Sequence, residues 1–182
     1  GEAKTVAGEY VDPMNASKCF TFTGAEIDVQ GTSSQNYPRK NYKIKFDGGF
    51  KMTSSGQIVP KFAMRSDSVP VNTFTFKADF ASSEGANNVE LVRYYCDLCP
   101  YETPPQEDAT TQDIRQGIDG FPIVMFHRAD SESDPTFLGK YNFNNDKGTA
   151  EVYGFDTGDE SWEILRNSGT NVIFETADYD EG

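Results

Sequence analysis

Long apolar runs, cysteine and histidine are absent or scarce in this sequence. None of its 182 residues lies in a stretch of about 18 consecutive apolar residues, so no membrane-spanning helix is predicted. Three cysteines are an odd number and too few for a disulfide scaffold, and we expect reduced thiols. His127 is the single histidine, so any histidine-dependent catalysis would have to use it.

Basic residues are outnumbered, with 16 Lys and Arg against 29 Asp and Glu and a net charge of -13. This balance argues against a nucleic-acid-binding protein, because contact with phosphates needs a positive surface. Residues 1–95 have a net charge of +1 and residues 96–182 one of -14. One segment, residues 39–51, has a net charge of +4 and is called the basic island. Its basic side chains are Arg39, Lys40, Lys43, Lys45 and Lys51.

Aromatic residues, by contrast, are plentiful. They make up 13% of the chain, with 14 Phe and 9 Tyr, whereas hydrophobic residues reach 36%, so a few large rings must provide much of the core. Apolar and polar residues alternate in several segments, as half-buried strands require. Strands are predicted at residues 20–30, 41–46, 71–80, 121–127 and 136–143, with a lead-in strand before residue 12 and a short strand at 171–176.

One segment has helical spacing instead. Its apolar residues recur three and four positions apart, which predicts a helix over residues 88–98 that Pro100 stops. These apolar residues are Leu91, Val92, Tyr95 and Leu98.

The order of elements predicts an α+β fold, mainly an antiparallel sheet with one main helix. We expect residues 1–182 to form a single domain, part of a longer protein, with a second short helix at 159–165. Residues 100–117 are too polar to bury and are predicted to form an exposed loop. We also expect the strand and helix faces to meet in one core. Its predicted members are Ile44, Phe74, Phe76, Phe80, Leu91 and Tyr95.

A polar loop precedes the basic island and suggests an anion site. Residues 31–34 (Gly-Thr-Ser-Ser) supply donors, and Arg39, Lys40, Lys43 and Lys45 follow. The segment is not a Walker loop, because it lacks the G-x-x-x-x-G-K spacing and no helix follows it. Two interpretations stay open: phosphate or nucleotide binding, and the solvated face of an amphipathic strand.

Cys96 and Cys99 form a C-x-x-C motif. Such a motif is compatible with a redox pair or half of a zinc site, but no second pair completes four ligands. Two small apolar residues near a helix end are the simpler interpretation, and we expect these thiols to be reduced and metal-free.

His127 and a run of acidic residues remain as candidates. His127 follows Phe126 within a predicted strand, which favours a structural or partly exposed histidine. Asp130, Glu132 and Asp134 supply oxygen ligands for a hard cation, but the spacing lacks the glycine and final glutamate of an EF-hand loop. A surface turn is the better interpretation.

Several short motifs follow one another along residues 25–155. Residues 29–34 (Val-Gln-Gly-Thr-Ser-Ser) precede residues 37–46 (Tyr-Pro-Arg-Lys-Asn-Tyr-Lys-Ile-Lys-Phe). This pair resembles the spore-coat CotH kinase-like family, where a strand ending in Arg-Gly-Asn-Ser precedes a basic strand of the type Pro-Lys-Lys-Ser-Tyr-x-x-Lys. Residues 76–80 and 91–98 resemble the family's strand ending in Ala-Asn-Tyr and its following helix, and residues 137–147 resemble its Gly-x-Tyr-x-Gly-x-Tyr region more loosely.

The resemblance implies the N-lobe of an atypical kinase-like fold. It also implies that Lys43 or Lys45 approaches nucleotide phosphates from its strand while Arg93 supports the site from the helix. Arg39 and Lys40 belong to the same implied phosphate-binding set, and ATP and magnesium would be the cofactors.

Two departures count against activity. Gln30 stands where the family has arginine and Thr32 where it has asparagine. Nothing in this sequence resembles the C-terminal half in which the family carries its metal-binding aspartates.

Residues 28–35 and 139–147 are also similar to CotH-related bacteriophage proteins that serve as tail or other virion components. The function this implies is a non-catalytic structural or attachment domain of a virion, without a cofactor. Its partners would be other virion proteins or a host surface, with homo-oligomers possible and no nucleic acid bound, and its location the virion, assembled in the host cytoplasm. The alternative is an ATP-dependent phosphotransferase of the CotH type, truncated before its metal-binding half.

Overall fold

The computed structural model describes residues 2–64, 68–81, 89–98, 118 and 120–149, together with the backbone of 166–167 and 174–175. These residues form mainly β-strands, with one α-helix. The elements are β1 (Lys4–Tyr10), β2 (Phe20–Gln30), β3 (Asn41–Lys45), β4 (Phe50–Met52), β5 (Ile58–Val59), β6 (Thr73–Lys77), α1 (Glu90–Leu98), β7 (Gly120–His127), β8 (Thr136–Asn145), β9 (Arg166–Asn167) and β10 (Phe174–Glu175).

The first eight strands form one antiparallel sheet in the order β5-β4-β2-β3-β6-β8-β7, with β1 paired to the other edge of β2. β2 connects the parts of this sheet. Its first residue, Phe20, pairs with Met52 of β4, whereas its last residue, Gln30, pairs with Asn41 of β3. One long strand therefore supports two branches of the sheet.

The sheet curls around an aromatic core. Tyr10 of β1 lies 6.2 Å from Phe121 of β7 and 6.0 Å from Phe143 of β8, measured between ring centroids. Because β1 and β7 lie at opposite ends of the path through β2, β3, β6 and β8, this contact requires a curved sheet. The side facing the core is called the inner face, and the opposite side the outer face.

Alternation divides the side chains of β3, β6 and β8 between these faces. On the inner face, Ile44 pairs with Phe74, and the Phe74 ring lies 4.7 Å from that of Phe143. On the outer face, Lys43 pairs with Thr75, which pairs in turn with Asn144. The buried hydrophobic cluster is therefore built on the inner face alone.

The sheet-rich α+β class and most predicted elements are confirmed. The pairing of β2 with β3 and of β7 with β8 produces the two predicted hairpins, and α1 falls within the predicted helix at 88–98. The strand predicted at 71–80 is shorter, because it ends at Lys77. Phe174–Glu175 is the strand predicted at 171–176. The predicted helix at 159–165 and loop at 100–117 lie outside the described residues.

The predicted core is right for Ile44 and Phe74, which are buried, and Phe76 packs against them. It is wrong for three members that the structure leaves exposed: Phe80 at 47%, Leu91 at 60% and Tyr95 at 46%.

Two physical reasons explain the error. The strand alternation stops before Phe80, since Asp79 has a φ of 44° and turns the chain, and the Phe80 ring packs on Tyr37 instead. Helical spacing places Leu91 and Tyr95 on one side of α1 but does not specify which side meets the sheet. The described residues contain no helix long and apolar enough to cross a membrane.

Candidate binding site on the outer face of the sheet

The five residues proposed for phosphate binding lie in three places. Arg39 and Lys40 precede β3, Lys43 and Lys45 lie on its outer face, and Arg93 is exposed on α1. Four of the five residues are neighbours along the chain, whereas Arg93 belongs to a different element. Arg39, Lys40, Lys43 and Lys45 each have contacts of their own.

Arg39 holds strands together. Its Nη2 donates to the carbonyl oxygen of Ala78 at 2.5 Å, and its guanidinium carbon lies 5.6 Å from the centroid of the Tyr141 ring. The N–H of Ala78 donates in turn to Asn41 Oδ1 at 2.8 Å. A Cβ on Gly139 would lie 2.8 Å from Arg39 Nη1, so glycine leaves space for the guanidinium. These contacts make Arg39 a clamp for β3, β6 and β8.

Lys40 closes the polar loop before β3. Its Nζ donates to the carbonyl oxygen of Gln35 at 2.5 Å, and the Gln35 side chain donates to the carbonyl oxygen of Gly31. Gly31 has a φ of 113°, where a side chain is strained, and a Cβ there would collide with Ser34 Oγ. The loop is thus held by its own side chains.

Lys43 and Lys45 each form an ion pair. Lys43 Nζ lies 2.5 Å from Asp146 Oδ2, and the Lys43 side chain is 48% exposed while that of Asp146 is only 5% exposed. Lys45 Nζ lies 2.9 Å from Asp47 Oδ1, with both side chains about half exposed. The hydrogen bond that Lys45 donates to Asp47 raises the pKa of Lys45 above its ordinary value, and the Coulomb attraction of the same carboxylate adds to this effect. Each charge is therefore balanced within the chain.

Lys77 lies near the Lys43–Asp146 ion pair. It was not among the residues predicted to bind phosphate. Its Nζ donates to Gln30 Oε1. Burial lowers the pKa of Lys77 below its ordinary value, while the negative charges of Asp146 and Asp79 oppose this effect. Asp79 Oδ2 accepts a hydrogen bond of 2.6 Å from Asn142 Nδ2. The lysine is thus part of a network that crosses β2, β6 and β8.

Polar side chains from neighbouring strands form a surface on the outer face, which is called the polar patch. It consists of Gln30, Lys43, Thr75, Lys77, Asn142, Asn144 and Asp146. Thr75, Asn142 and Asn144 in this patch are at most 2% exposed, so this part of the polar side is as buried as the apolar side. A Cβ on Gly120 would lie 2.9 Å from Asn144 Oδ1, so glycine makes room for that amide.

The polar patch combines cationic, amide and hydroxyl groups with one carboxylate. Two ammonium groups lie near amide and hydroxyl donors, and Asp146 orients one of them. Within the described residues, no group of three His, Cys, Asp or Glu side chains is placed to hold a metal ion. The donors Lys43, Lys77 and Asn142 of the patch all have acceptors within the chain.

Comparison of this chain with family models, curated proteins and solved structures found no significant match. The residues themselves must therefore carry any functional argument.

The remaining candidate residues that the structure describes, His127 and Asp130, lie on the exposed surface. His127 is exposed at the end of β7. Asp130 Oδ1 accepts from the hydroxyl of Ser133 at 2.7 Å and from the N–H groups of Ser133 and Glu132. These hydrogen bonds lower the pKa of Asp130, with the Ser133 hydroxyl contributing most, and they build the expected surface turn. The Cys96 side chain and Cys99 lie outside the described residues.

One signal for the polar patch is present in the sequence. Asn142 and Asn144 alternate with Tyr141 and Phe143 along β8, which puts two amides on the side opposite the rings. The ion pair with Asp146 has no such signal, because Lys43 and Asp146 are far apart in the chain.

Proposed function

We propose that this chain is a non-catalytic structural or attachment domain of a bacteriophage virion, associated with the tail. The non-catalytic part of this proposal is supported by the contacts that the basic island makes within the chain. Arg39 binds a backbone carbonyl, and Lys43 and Lys45 bind carboxylates of the same chain. These groups stabilise the sheet instead of forming an open cationic site. The virion assignment itself is supported by the resemblance of residues 28–35 and 139–147.

In this role the domain binds other virion proteins or a host surface and needs no cofactor. The direct test is mass spectrometry of purified particles from the phage that encodes the chain. Peptides of this protein are expected at the stoichiometry of a structural component. Their absence from particles, while they are present in infected cells, would contradict the proposal.

A second candidate is an ATP-dependent phosphotransferase of the CotH type. The observation that favours it is the Lys43–Asp146 pair beside Lys77, because a lysine oriented by a carboxylate is a common way to contact nucleotide phosphates. Phosphoryl transfer also needs metal ions held by carboxylates. The catalytic metal ligands of such an enzyme would have to come from outside the described residues.

Incubation with labelled ATP and magnesium separates the two candidates. The structural proposal predicts no incorporation of label. Incorporation that is lost in Lys43→Ala but retained in Lys51→Ala would support the phosphotransferase instead. Lys51 is the matched control, since it is an exposed lysine on β4 in the same basic island.

A further inference from the structure

The strand β7 is an edge of the sheet. Among the described strands, it is paired on one side only, with β8. An unprotected edge offers backbone N–H and C=O groups to another strand, and proteins commonly protect such edges with charged residues. From Gly120 to Phe126 the strand has no charged residue.

Pro122 identifies the direction of the free backbone groups. Proline has no N–H for the ladder, so within a sheet it occupies positions whose backbone groups point away from the paired neighbour. The register shift between Met125 and Phe126 leaves its extra residue, Leu138, in β8, so the alternation of β7 itself continues. Residues two apart in a strand point the same way, which gives Val124 and Phe126 the same outward direction as Pro122. The free edge therefore presents the N–H and C=O groups of Val124 and the N–H of Phe126.

The side chains along this edge are apolar and exposed. Pro122, Val124 and Phe126 all lie on the solvent side of β7, and the Phe126 ring packs 5.5 Å from that of the exposed Phe137. Such a series on an unpaired edge is suited to pairing with another strand. The chain's net charge of -13 would keep copies apart elsewhere, but this strand adds no repulsion.

We infer that two copies of this chain pair through β7, antiparallel and related by a two-fold axis at Val124. In this register Val124 faces Val124 of the second copy, and about four backbone hydrogen bonds form across the axis. Phe126 then lies beside Pro122 of the second copy, so each exposed ring covers an exposed proline. The missing N–H of Pro122 falls at the outer end of the ladder and does not interrupt its centre.

The charges at the two ends of the sheet add a weak attraction in the same arrangement. The β7–β8 turn carries the exposed residues Asp130, Glu132 and Asp134, whereas Lys147 is exposed at the opposite end of β8. A two-fold axis places the acidic turn of one copy on the same side as Lys147 of the other. Attraction between exposed charges is weak and is screened by salt, so it orients the copies more than it holds them together.

This inference is independent of the proposed function, and it is tested by the oligomeric state. Sedimentation equilibrium of the full chain at low salt is expected to give a dimer at high concentration. Val124→Lys is expected to remain monomeric, because a lysine at the axis brings two like charges together. Ile58→Lys on the edge strand β5 is the control, with 66% exposure against 64% for Val124, and it is expected to dimerise like the parent. A monomeric parent, a dimeric Val124→Lys variant, or equal loss of dimer in both variants would overturn the inference.

A cysteine variant tests the register without relying on a charge. Facing residues of such a pair have Cα atoms about 5.5 Å apart, which is within disulfide range. Oxidised Val124→Cys is therefore expected to give a covalent dimer above the parent's background, whereas Ile58→Cys is not. Equal cross-linking of the two variants would overturn the two-fold register.

Discussion

The inner and outer faces of β3, β6 and β8 both contain buried side chains, but these are buried by different means. On the inner face, Phe74 and Phe143 pack ring against ring. On the outer face, Thr75 and Asn144 are equally buried and lie in a polar surrounding. Apolar packing depends on area and tolerates changes in direction, whereas buried polar groups depend on particular partners. Substitutions on the two faces should therefore lower the stability for different physical reasons.

The largest effect is expected on the inner face. Phe74→Ala removes a ring that is 0% exposed and contacts several others, so the free energy of unfolding should fall by about 3–5 kcal/mol. Phe137→Ala is the control, because Phe137 is exposed and its loss should change the stability by less than about 0.5 kcal/mol. Urea unfolding measures both. Equal losses would show that the inner face does not dominate the stability.

A smaller effect is expected on the outer face. Lys43→Ala leaves the buried Asp146 carboxylate without its cation, and because Lys43 is half exposed we expect a loss of about 1–2 kcal/mol. Lys45→Ala removes an ion pair between two exposed side chains and should leave the urea midpoint unchanged. The double variant Lys43→Ala with Asp146→Asn should recover part of the loss. No recovery would mean that the unpaired carboxylate is not the cause.

The smallest effect concerns a polar group at the margin of the inner face. Burial, together with the negative charges of Asp12 and Cys19, raises the pKa of Tyr10 to about 12. The unfolded chain loses this proton near pH 10, so stability from the neutral phenol is complete below pH 10 and declines as the pH rises toward 12. Urea midpoints at pH 8 and pH 11 should differ less for Tyr10→Phe than for the parent. If the urea midpoint changes equally with pH in the variant and the parent, groups other than Tyr10 cause the loss of stability at high pH.

The inner face could be predicted from the sequence, since its signal is local. Ile44 alternates with Lys43 and Lys45 along β3, and period-two alternation is enough to direct a side chain toward the core. The β7–β8 hairpin was predicted in the same way, from two alternating segments separated by turn residues.

The burial of the polar patch and its ion pair could not be predicted, because these contacts join distant segments. Alternation places Lys77 and Lys43 on a polar face, but it does not show that the face is buried or that Asp146 lies against it. The exposed side of α1 escaped prediction for a related reason. Leu91 and Tyr95 share a helix face, and which face meets the sheet is a tertiary property.

The contacts of Tyr10 with Phe121 and Phe143 have a consequence for synthesis of the protein. β1 is synthesised well before the β7–β8 hairpin, against which Tyr10 completes its packing. Until then Phe74 and Phe76 lack the Phe143 ring that packs against both of them. Contacts between distant segments slow folding and leave apolar surface exposed to aggregation, so translation speed and chaperone supply should strongly affect the yield of folded protein.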